Sequence, residues 1–242
     1  MIGLGTIVNA VAVIVGGTVG SFIKNGLPER FKTTIIQAIG LSVAIIGISG
    51  TLSGITKVVP GDKLDRIMLM IFSLVIGGLI GELINIEDKL DKMGAWFQRK
   101  LVKGESNFAE GFVTASLIYC VGAMAIVGSL EDGLTGSTST LFAKSILDGV
   151  SAVIFAATMG IGVAFSALPV FLYQGSITLL AGFIKPWLTD AVINQMSLVG
   201  SVLIMAIGIN ILEIKKIKVG NLLPSIFVPF VYYIIVKLLG NI

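Results

Sequence analysis

The sequence predicts an all-α membrane protein, a polytopic bundle of seven or eight transmembrane helices that forms one membrane domain over residues 1–242. Hydrophobic residues make up 55% of the chain and charged residues only 13%, about half the charged share that is usual in soluble domains. The mean hydropathy is +1.00. Apolar runs close to the roughly 20 residues that a bilayer core requires recur along the whole length. Too few polar residues remain to cover so much apolar surface in water.

The eight apolar runs follow one another at 4–23, 34–54, 67–86, 108–129, 141–166, 169–184, 194–212 and 221–239. No basic segment precedes the first run and no cleavage site follows it, so we expect a membrane helix there and not a signal peptide. Little more than Ala167, Leu168 and Pro169 separates the fifth and sixth runs. These two runs form a tight hairpin, a kinked span or a re-entrant pair, and seven spans remain an alternative.

The longest polar connection, residues 87–103, predicts an amphipathic helix on the cytoplasmic surface. Leu90, Met93, Phe97 and Leu101 fall on one face at helical spacing, and the basic residues lie largely elsewhere. A packed linker helix between spans is the alternative.

Basic residues are distributed unequally between the two sides of an eight-span arrangement. Six lie on one side: Lys57, Lys63, Arg66, Lys144, Lys185 and Lys237. Eleven lie on the other: Lys24, Arg30, Lys32, Lys89, Lys92, Arg99, Lys100, Lys103, Lys215, Lys216 and Lys218. The positive-inside rule places the second set in the cytoplasm and both termini outside. We expect a bacterial cytoplasmic (inner) membrane protein with the lipid bilayer as its environment.

A short pattern recurs along the chain and predicts an inverted repeat. Phe22, Ile23, Lys24, Leu27, Ile46, Gly47 and Ile48 return as Phe183, Ile184, Lys185, Leu188, Ile207, Gly208 and Ile209. An odd number of spans separates the copies, so they would have opposite orientations, as in many transporters. The repeat halves would be 1–86 and 168–242, joined by the surface helix 87–103 and a central hairpin 108–167. Chance similarity between apolar hairpins is the alternative.

Two further features bear on helix packing. Small residues at four-residue spacing predict close helix approach within a bundle or an oligomer: Gly16 and Gly20, Gly77 and Gly81, Ala156 and Gly160. Pro224 and Pro229 interrupt the last span and predict a kink, the alternative being backbone that lines a cavity. We expect the chain to form a homo-oligomer.

Asp148 is the first candidate for a functional site, because it lies about two turns inside the fifth span. A carboxylate at such depth is costly unless it is paired or hydrated, so it usually faces the bundle interior or a water-filled cavity. Lys144 precedes it by four residues on the same helix face. Ser145 and Ser151 flank Asp148 and are expected to contact a shared ligand. The alternative is a structural Lys144–Asp148 pair with the lysine reaching toward the interface.

Other polar side chains within the spans extend this candidate site. Tyr173, Gln174 and Ser176 lie near the middle of the sixth span, and Asn9 lies in the first. A buried amide is costly unless it is hydrogen-bonded, so each amide either binds a ligand or joins two helices. Glu131 and Asp132 are expected to lie in a flexible outer loop that concentrates cations.

The composition excludes several other functions. The chain has no histidine and a single cysteine, Cys120, so it lacks the residues for Ser-His-Asp or Cys-His catalysis, His-ligated zinc or an internal disulfide. Phosphate-binding loops and dinucleotide fingerprints are absent from the sequence, which argues against ATP-driven transport by this chain alone. We expect no enzyme activity, no cofactor and no nucleic-acid partner. The sequence does not determine whether a metal binds.

Several segments together resemble a known family. They are "GTIVNA", "GLPERFKTTIIQAIGL", "KSILDGVSAVIFAATMGIGVAFSALPV", "YQGSITLLA" and "IGINIL". Over essentially the full chain, the sequence resembles bacterial inner-membrane proteins of the YdfK/YqgA type. That family consists of multi-span membrane proteins of unknown function, some of them labelled as transport proteins. The resemblance implies a membrane fold and supplies no substrate and no catalytic residues.

The leading hypothesis is therefore a secondary transporter or channel for a small ion or small polar solute. In it, Asp148 binds the cation or proton, and Asn9, Ser151, Gln174 and Ser176 line the path. The alternative is a membrane scaffold or accessory subunit without transport. A scaffold predicts a dry interior with a sealed Lys144–Asp148 pair and polar groups that satisfy one another, whereas a transporter predicts access of water to Asp148.

Overall fold

A computed structural model describes residues 1–24, 28–57, 65–101, 108–120 and 123–239. Within these ranges the regular secondary structure is helical, which confirms the all-α prediction. The helices are α1 (Leu4–Lys24), α2 (Glu29–Thr56), α3 (Arg66–Ile84), α4 (Ile86–Leu101), α5 (Phe108–Cys120), α6 (Ala123–Thr135), α7 (Ser139–Met159), α8 (Gly162–Phe165), α9 (Ala167–Ile184), α10 (Asp190–Ile211), α11 (Val219–Leu222) and α12 (Val228–Leu238). Two 3-10 turns, Lys185–Trp187 and Leu223–Ile226, complete them.

Seven segments of the described chain are long and apolar enough to cross a membrane. They are Leu4–Ile23, Thr33–Thr56, Arg66–Ile84, Ser139–Met159, Gly162–Trp187, Asp190–Ile211 and Val219–Leu238. The pair α5 and α6, whose axes differ by 62°, adds an eighth if the two helices cross as one bent span. The predicted multi-span membrane helix bundle is thus confirmed.

Contacts between α1 and α7 bear on the number of spans. A Cβ atom added at Gly5 would touch Leu141, and one added at Gly20 would touch Val153. Both helices therefore advance together and pack in parallel. Two membrane-spanning helices that run in the same direction are separated along the chain by an odd number of membrane crossings. With α2 and α3 as two crossings, the eight-span count, in which α5 and α6 cross as one bent span, meets this condition.

The chain divides into two compact units, each built from segments that are distant in sequence. Unit 1 contains residues 1–38 and 88–182, and unit 2 contains residues 39–87 and 183–242. This division by contacts differs from the halves 1–86 and 168–242 of the sequence repeat, because the central segment packs with α1 and α9.

Helix order is nonetheless compatible with the repeat. The matched residues Phe22 and Phe183 are 161 positions apart. Three pairs of helices begin 163, 161 and 162 positions apart when the short α11 is left out of the match: Leu4 and Ala167, Glu29 and Asp190, Arg66 and Val228. The inverted orientation of the two copies stays a prediction.

Glycines bring α1 and α7 of unit 1 into backbone contact, as the small-residue spacing predicted. A Cβ atom at Gly16 would overlap the carbonyl oxygen of Gly149, and one at Gly20 would overlap that of Val153. The close approach leaves no room for larger side chains at these two positions, and it brings the polar residues of α1 next to those of α7.

Gly16→Ala is expected to lower the free energy of unfolding by about 1–3 kcal/mol, since the added methyl group meets backbone that cannot move aside. Gly182→Ala is the matched control, because a Cβ there meets nothing within 4 Å and alanine favours a helix. Unfolding in detergent, followed by circular dichroism, measures both variants. Equal stability of the two would contradict the close packing of α1 and α7.

The boundary between the fifth and sixth spans differs from the prediction. We expected it at residues 167–169, but α7 ends at Met159 and Pro169 lies in the first turn of α9, where a missing backbone N–H costs nothing. The chain turns at Gly160 instead, whose φ of +88° favours glycine.

Prolines interrupt the last span, as predicted. Pro224 lies at the start of the 3-10 turn between α11 and α12, and Pro229 lies in the first turn of α12. The span is therefore broken into three short helical pieces.

Unit 2 is held by glycine contacts and a polar network. A Cβ at Gly47 would overlap the Met205 backbone, and one at Gly81 would overlap the carbonyl oxygen of Asn221. Lys218 donates to Glu82 over 2.6 Å, and this hydrogen bond raises the pKa of Lys218. Glu82, which closes α3, is thus tied to the segment that precedes α11.

The helix predicted over residues 87–103 is α4 (Ile86–Leu101) as far as the structure describes the segment, and residues 102–103 lie outside the described residues. Its position on the cytoplasmic surface stays a prediction.

Candidate functional site

Lys144 and Asp148 form a buried ion pair near the middle of α7, a helix of 21 residues. Their spacing of one helical turn places them on the same face, and Lys144 Nζ lies 2.6 Å from Asp148 Oδ2. Each side chain is only 9% exposed. A charged pair that far from the helix ends belongs to the kind of intramembrane site that carries function in many membrane proteins.

Asn9 of α1 completes the contacts of the carboxylate. Its Nδ2 donates to Asp148 Oδ2 over 3.0 Å, and the orientation of the amide follows, because a carboxylate oxygen accepts and does not donate. Asn9 is fully buried. Its Oδ1 has no hydrogen-bond partner within the part of the chain that the structure describes.

Gln174 of α9 is also fully buried. Neither Nε2 nor Oε1 of its amide has a hydrogen-bond partner among the described residues. A buried amide left in this state costs about 1–3 kcal/mol. Such groups are rare in folded proteins and require an explanation.

Contacts between α1 and α9 place Gln174 at the level of Asn9. The hydroxyl oxygens of Thr6 and Thr178 lie 3.4 Å apart. The two helices run antiparallel, since Gly17, further along α1, approaches Ala164, which precedes α9. Asn9 follows Thr6 on α1 by three residues, or about 4.5 Å, and Gln174 precedes Thr178 on α9 by four residues, or about 6 Å. Because the two helices are antiparallel, Asn9 and Gln174 lie on the same side of the threonine pair and at a similar depth.

We call the six residues Thr6, Asn9, Lys144, Asp148, Gln174 and Thr178 the polar cluster. Each is less than 10% exposed, and three helices of unit 1 supply them. The cluster carries one positive and one negative charge. It also carries free amide donors and acceptors, which suit a small ion or a small polar solute.

Tyr119 of α5 borders the polar cluster. The Lys144 ammonium lies 6.0 Å from the centre of its ring, within reach of a weak cation–π attraction. The Ser151 hydroxyl lies within hydrogen-bond distance of two acceptors, the Asp148 carbonyl oxygen at 3.0 Å and Tyr119 Oη at 3.3 Å, and its single proton serves one of them at a time. Ser151 thus lies beside the cluster, half-buried, as the sequence predicted.

Three other residues near the candidate site are not in the polar cluster. Tyr173 is half-buried, and Ser176 lies on the exposed face of α9, where its hydroxyl donates to the Tyr173 carbonyl oxygen. Ser145 is buried and donates to the Leu141 carbonyl oxygen. The predicted path-lining role of Ser176 has no support from its position on α9.

Sequence reasoning missed Thr6, Thr178 and Tyr119. A signal for the threonines was present, because Thr6 precedes Asn9 by three residues and Thr178 follows Gln174 by four, so each pair shares a helix face. Tyr119 had no comparable signal, since nothing in the sequence shows that α5 packs against α7.

The expectation of a flexible acidic loop at Glu131 and Asp132 is wrong. Both residues lie in α6, and Asp132 is fully buried. Its carboxylate accepts hydrogen bonds from the backbone N–H groups of Gly3 and Gly5, each over 3.0 Å. An anion is favourable at a helix N-terminus, so Asp132 anchors the start of α1.

Asp132→Asn is expected to lower the free energy of unfolding by about 1–3 kcal/mol, because it weakens two charge-assisted hydrogen bonds, one buried and one part-buried. Asp88→Asn is the control, since Asp88 forms a solvent-exposed pair with Lys92 that contributes about 0–1 kcal/mol. Chemical unfolding in detergent measures both. A loss at Asp132 no larger than at Asp88 would show that α1 does not depend on this anchor.

Across the described residues, no group of three or more His, Cys, Asp or Glu side chains is arranged to hold a metal ion. A multivalent ion that relies on several carboxylates therefore has no visible site there.

Comparison with known proteins places the chain among membrane proteins. It is 37% identical over 236 residues to "Uncharacterized membrane protein YdfK" of Bacillus subtilis, an alignment that covers 98% of both chains. It is 33% identical over 229 residues to "Uncharacterized protein YqgA" of Escherichia coli, with 92% and 93% of the chains covered. No solved structure matches the chain. The family model described as "Protein of unknown function (DUF554)" matches residues 4–234, and the chain belongs to that family.

Proposed function

We propose that the protein is a transporter or channel of the bacterial cytoplasmic membrane that carries a small ion or a small polar solute through the polar cluster. It works without ATP hydrolysis by this chain and is not an enzyme. The observation that carries the proposal is the buried Gln174 amide, both polar atoms of which lack a partner among the described residues, together with the free Oδ1 of Asn9 beside the ion pair.

A structural role accounts for the ion pair but not for the amides. A scaffold has no reason to keep Gln174 buried without a partner, because a methionine of similar size fills the same space at lower cost. A transported ligand supplies the missing hydrogen bonds or ion contacts each time it binds. The unliganded amide is then a cost that binding removes.

Broken helices support the same proposal. Unit 1 contains the bent pair α5 and α6, and unit 2 contains the proline-broken span formed by α11 and α12. Interrupted helices at membrane depth are tolerated where backbone lies within protein or beside a cavity, and transporters use them to bind ions and substrates near the bilayer centre.

A membrane scaffold or accessory subunit is the second candidate. Enclosure of the Lys144–Asp148 pair favours it, because both charges are satisfied and largely shielded. Glycine contacts in both units supply the close packing that a scaffold needs. A homo-oligomer is compatible with either function.

Thermal unfolding of the detergent-purified protein tests the proposal. The protein is heated with Na⁺, K⁺, Li⁺, Mg²⁺ and phosphate salts, amino acids and small sugars over a range of pH. A ligand present at 100 times its dissociation constant is expected to add about 2.7 kcal/mol of stability. Asp148→Asn and Gln174→Met run beside the native protein, and Asp88→Asn serves as the control.

A stabilisation that disappears in both cluster variants and persists in Asp88→Asn would support transport through the polar cluster. One that persists in the cluster variants would move the ligand to another site. If nothing on the panel stabilises the native protein, the scaffold becomes the better account.

A further inference from the structure

We infer that the ligand of the polar cluster is a monovalent alkali cation, and that it binds at Asp148 in exchange for one proton of Lys144. This inference rests on the proposed function and names its substrate class and coupling. The observation behind it is a one-to-one charge balance within a buried site that has free oxygen acceptors.

The charge balance limits what the site accepts. Lys144 and Asp148 together are neutral, and both are largely shielded from water. A cation added to this pair would leave a net positive charge in the membrane interior, which is costly. If Lys144 releases its proton as the cation arrives, the site stays neutral throughout.

Oxygen acceptors for a cation are present. The hydrogen bonds from Lys144 and Asn9 both go to Oδ2 of Asp148. Among the described residues, none donates a hydrogen bond to its Oδ1. Asn9 Oδ1 is free and belongs to the amide that already contacts the carboxylate. Gln174 Oε1 is free at the same level of the neighbouring helix. Carboxylate and amide oxygens are the ligands that hard cations prefer.

The exchange step is balanced. The cation forms contacts with the Asp148 carboxylate and thereby replaces the Lys144 ammonium as its counter-ion. An ammonium that is buried without a counter-ion gives up its proton in preference to staying charged. The nitrogen keeps its electron pair, one proton leaves to water, and one positive charge enters. No oxidant, reductant or further reactant is needed.

The groups around Lys144 are compatible with this step. On α7 the charged neighbour is Asp148, and α5 contributes Tyr119 and Cys120. From α1 the cluster receives the neutral Thr6 and Asn9. The acids of α6 are engaged elsewhere, Asp132 with the start of α1 and Glu131 with Thr140. Within the described residues, Asp148 is thus the one carboxylate in contact with Lys144.

A monovalent ion fits better than a divalent one. One carboxylate balances one charge, and a divalent ion would leave the site positive even after Lys144 lost its proton. Divalent ions also rely on several charged oxygen ligands, and the described residues hold no such group of carboxylates.

Proton release on cation addition tests the inference. The purified protein, in weakly buffered detergent with a pH indicator, receives NaCl, KCl or LiCl, with choline chloride as the ionic-strength control. Binding is followed in parallel by tryptophan fluorescence or calorimetry. We expect about one proton released per bound cation, and an apparent affinity that rises about tenfold for each pH unit, because the cation competes with a proton.

Lys144→Arg is the decisive variant. Arginine keeps the positive charge beside Asp148 but does not lose its proton in proteins. We expect it to abolish both cation binding and proton release. Should this variant fail to fold, the pH dependence of cation affinity in the native protein tests the exchange by itself, and a cation affinity that does not change with pH would overturn it.

The outcomes separate the inference from the proposed function. Cation binding without proton release, or equal release by Lys144→Arg, would overturn the exchange and leave transport standing. If only an uncharged polar solute binds, the cation–proton exchange is likewise overturned and transport still stands. If neither cations nor the solutes of the thermal panel bind, both the inference and the proposed function fail.

Discussion

Lys144→Met is expected to destabilise the protein by about 3–5 kcal/mol, because it leaves the Asp148 carboxylate without its charged partner. Asp148→Asn is expected to cost a similar amount, since the Lys144 ammonium must then either stay charged without a counter-ion or give up its proton. Asn9 Nδ2, 3.0 Å from Asp148 Oδ2, offsets only part of either loss.

The double variant Lys144→Met with Asp148→Asn is expected to recover most of that loss. It removes both charges together, so no buried charge remains uncompensated. The new asparagine still accepts a hydrogen bond from Asn9. The coupling between the two substitutions is therefore expected to be several times larger than the roughly 0.3–0.5 kcal/mol of an exposed pair at the same helix spacing.

A double-mutant cycle, measured by unfolding in detergent, tests this directly. Lys92→Met and Asp88→Asn supply the control cycle, because that pair has the same four-residue spacing but is 74% and 43% exposed. Equal coupling energies in the two cycles would show that the Lys144–Asp148 pair is hydrated and not enclosed by the bundle.

Gln174→Met is expected to leave the unliganded protein as stable as before, or more stable by up to about 3 kcal/mol. The substitution removes an amide whose two polar atoms have no partner in the described structure and keeps a similar side-chain volume. Because the same amide is expected to contact the ligand, the variant should also lose ligand-induced stabilisation. Higher stability with lost binding is a combination that a structural residue does not give.

Gln195→Met is the matched control. Gln195 of α10 is also buried, but its Nε2 donates to the Arg66 carbonyl oxygen over 2.8 Å. Its replacement is expected to cost about 1–3 kcal/mol and to leave ligand binding intact. Unfolding with and without ligand measures both. A loss of stability in Gln174→Met as large as in Gln195→Met would mean that its amide does have partners in the protein.

Much of the fold follows from the sequence. Apolar run length alone locates the spans, because a bilayer requires long apolar helices wherever the chain crosses. Helix ends and breaks are harder to predict, since they depend on local backbone conformation. The turn at Gly160, for example, requires a positive φ, and nothing in an apolar run marks which of its glycines adopts one.

The candidate site was predictable where it depends on one helix. Lys144 and Asp148 pair through their spacing, and this contact could be read from the sequence before any tertiary arrangement was known. Asn9 joins them only because α1 packs against α7 in close backbone contact. The glycine spacing suggests this contact but does not specify which residues of the two helices face each other. Register between helices is set by packing, and no single-helix pattern contains it.

Asp132 shows the limit most clearly. Its surroundings in the sequence, "GSLEDGLTGSTST", are typical of a loop, and yet Asp132 lies in α6 and binds the first turn of α1. The backbone N–H groups at a helix N-terminus need acceptors. A carboxylate 127 positions away supplies one, and a contact at such separation is visible only in the folded chain.

Ion flux in proteoliposomes tests the central claim most directly. Vesicles that carry the protein and an entrapped pH indicator receive external NaCl, KCl or LiCl, with choline chloride and protein-free vesicles as controls. We predict that one of the alkali cations makes the lumen more alkaline, because it enters as protons leave, and that Asp148→Asn abolishes the response. Identical lumen pH in native, Asp148→Asn and protein-free vesicles for all three cations would contradict cation–proton exchange at the polar cluster.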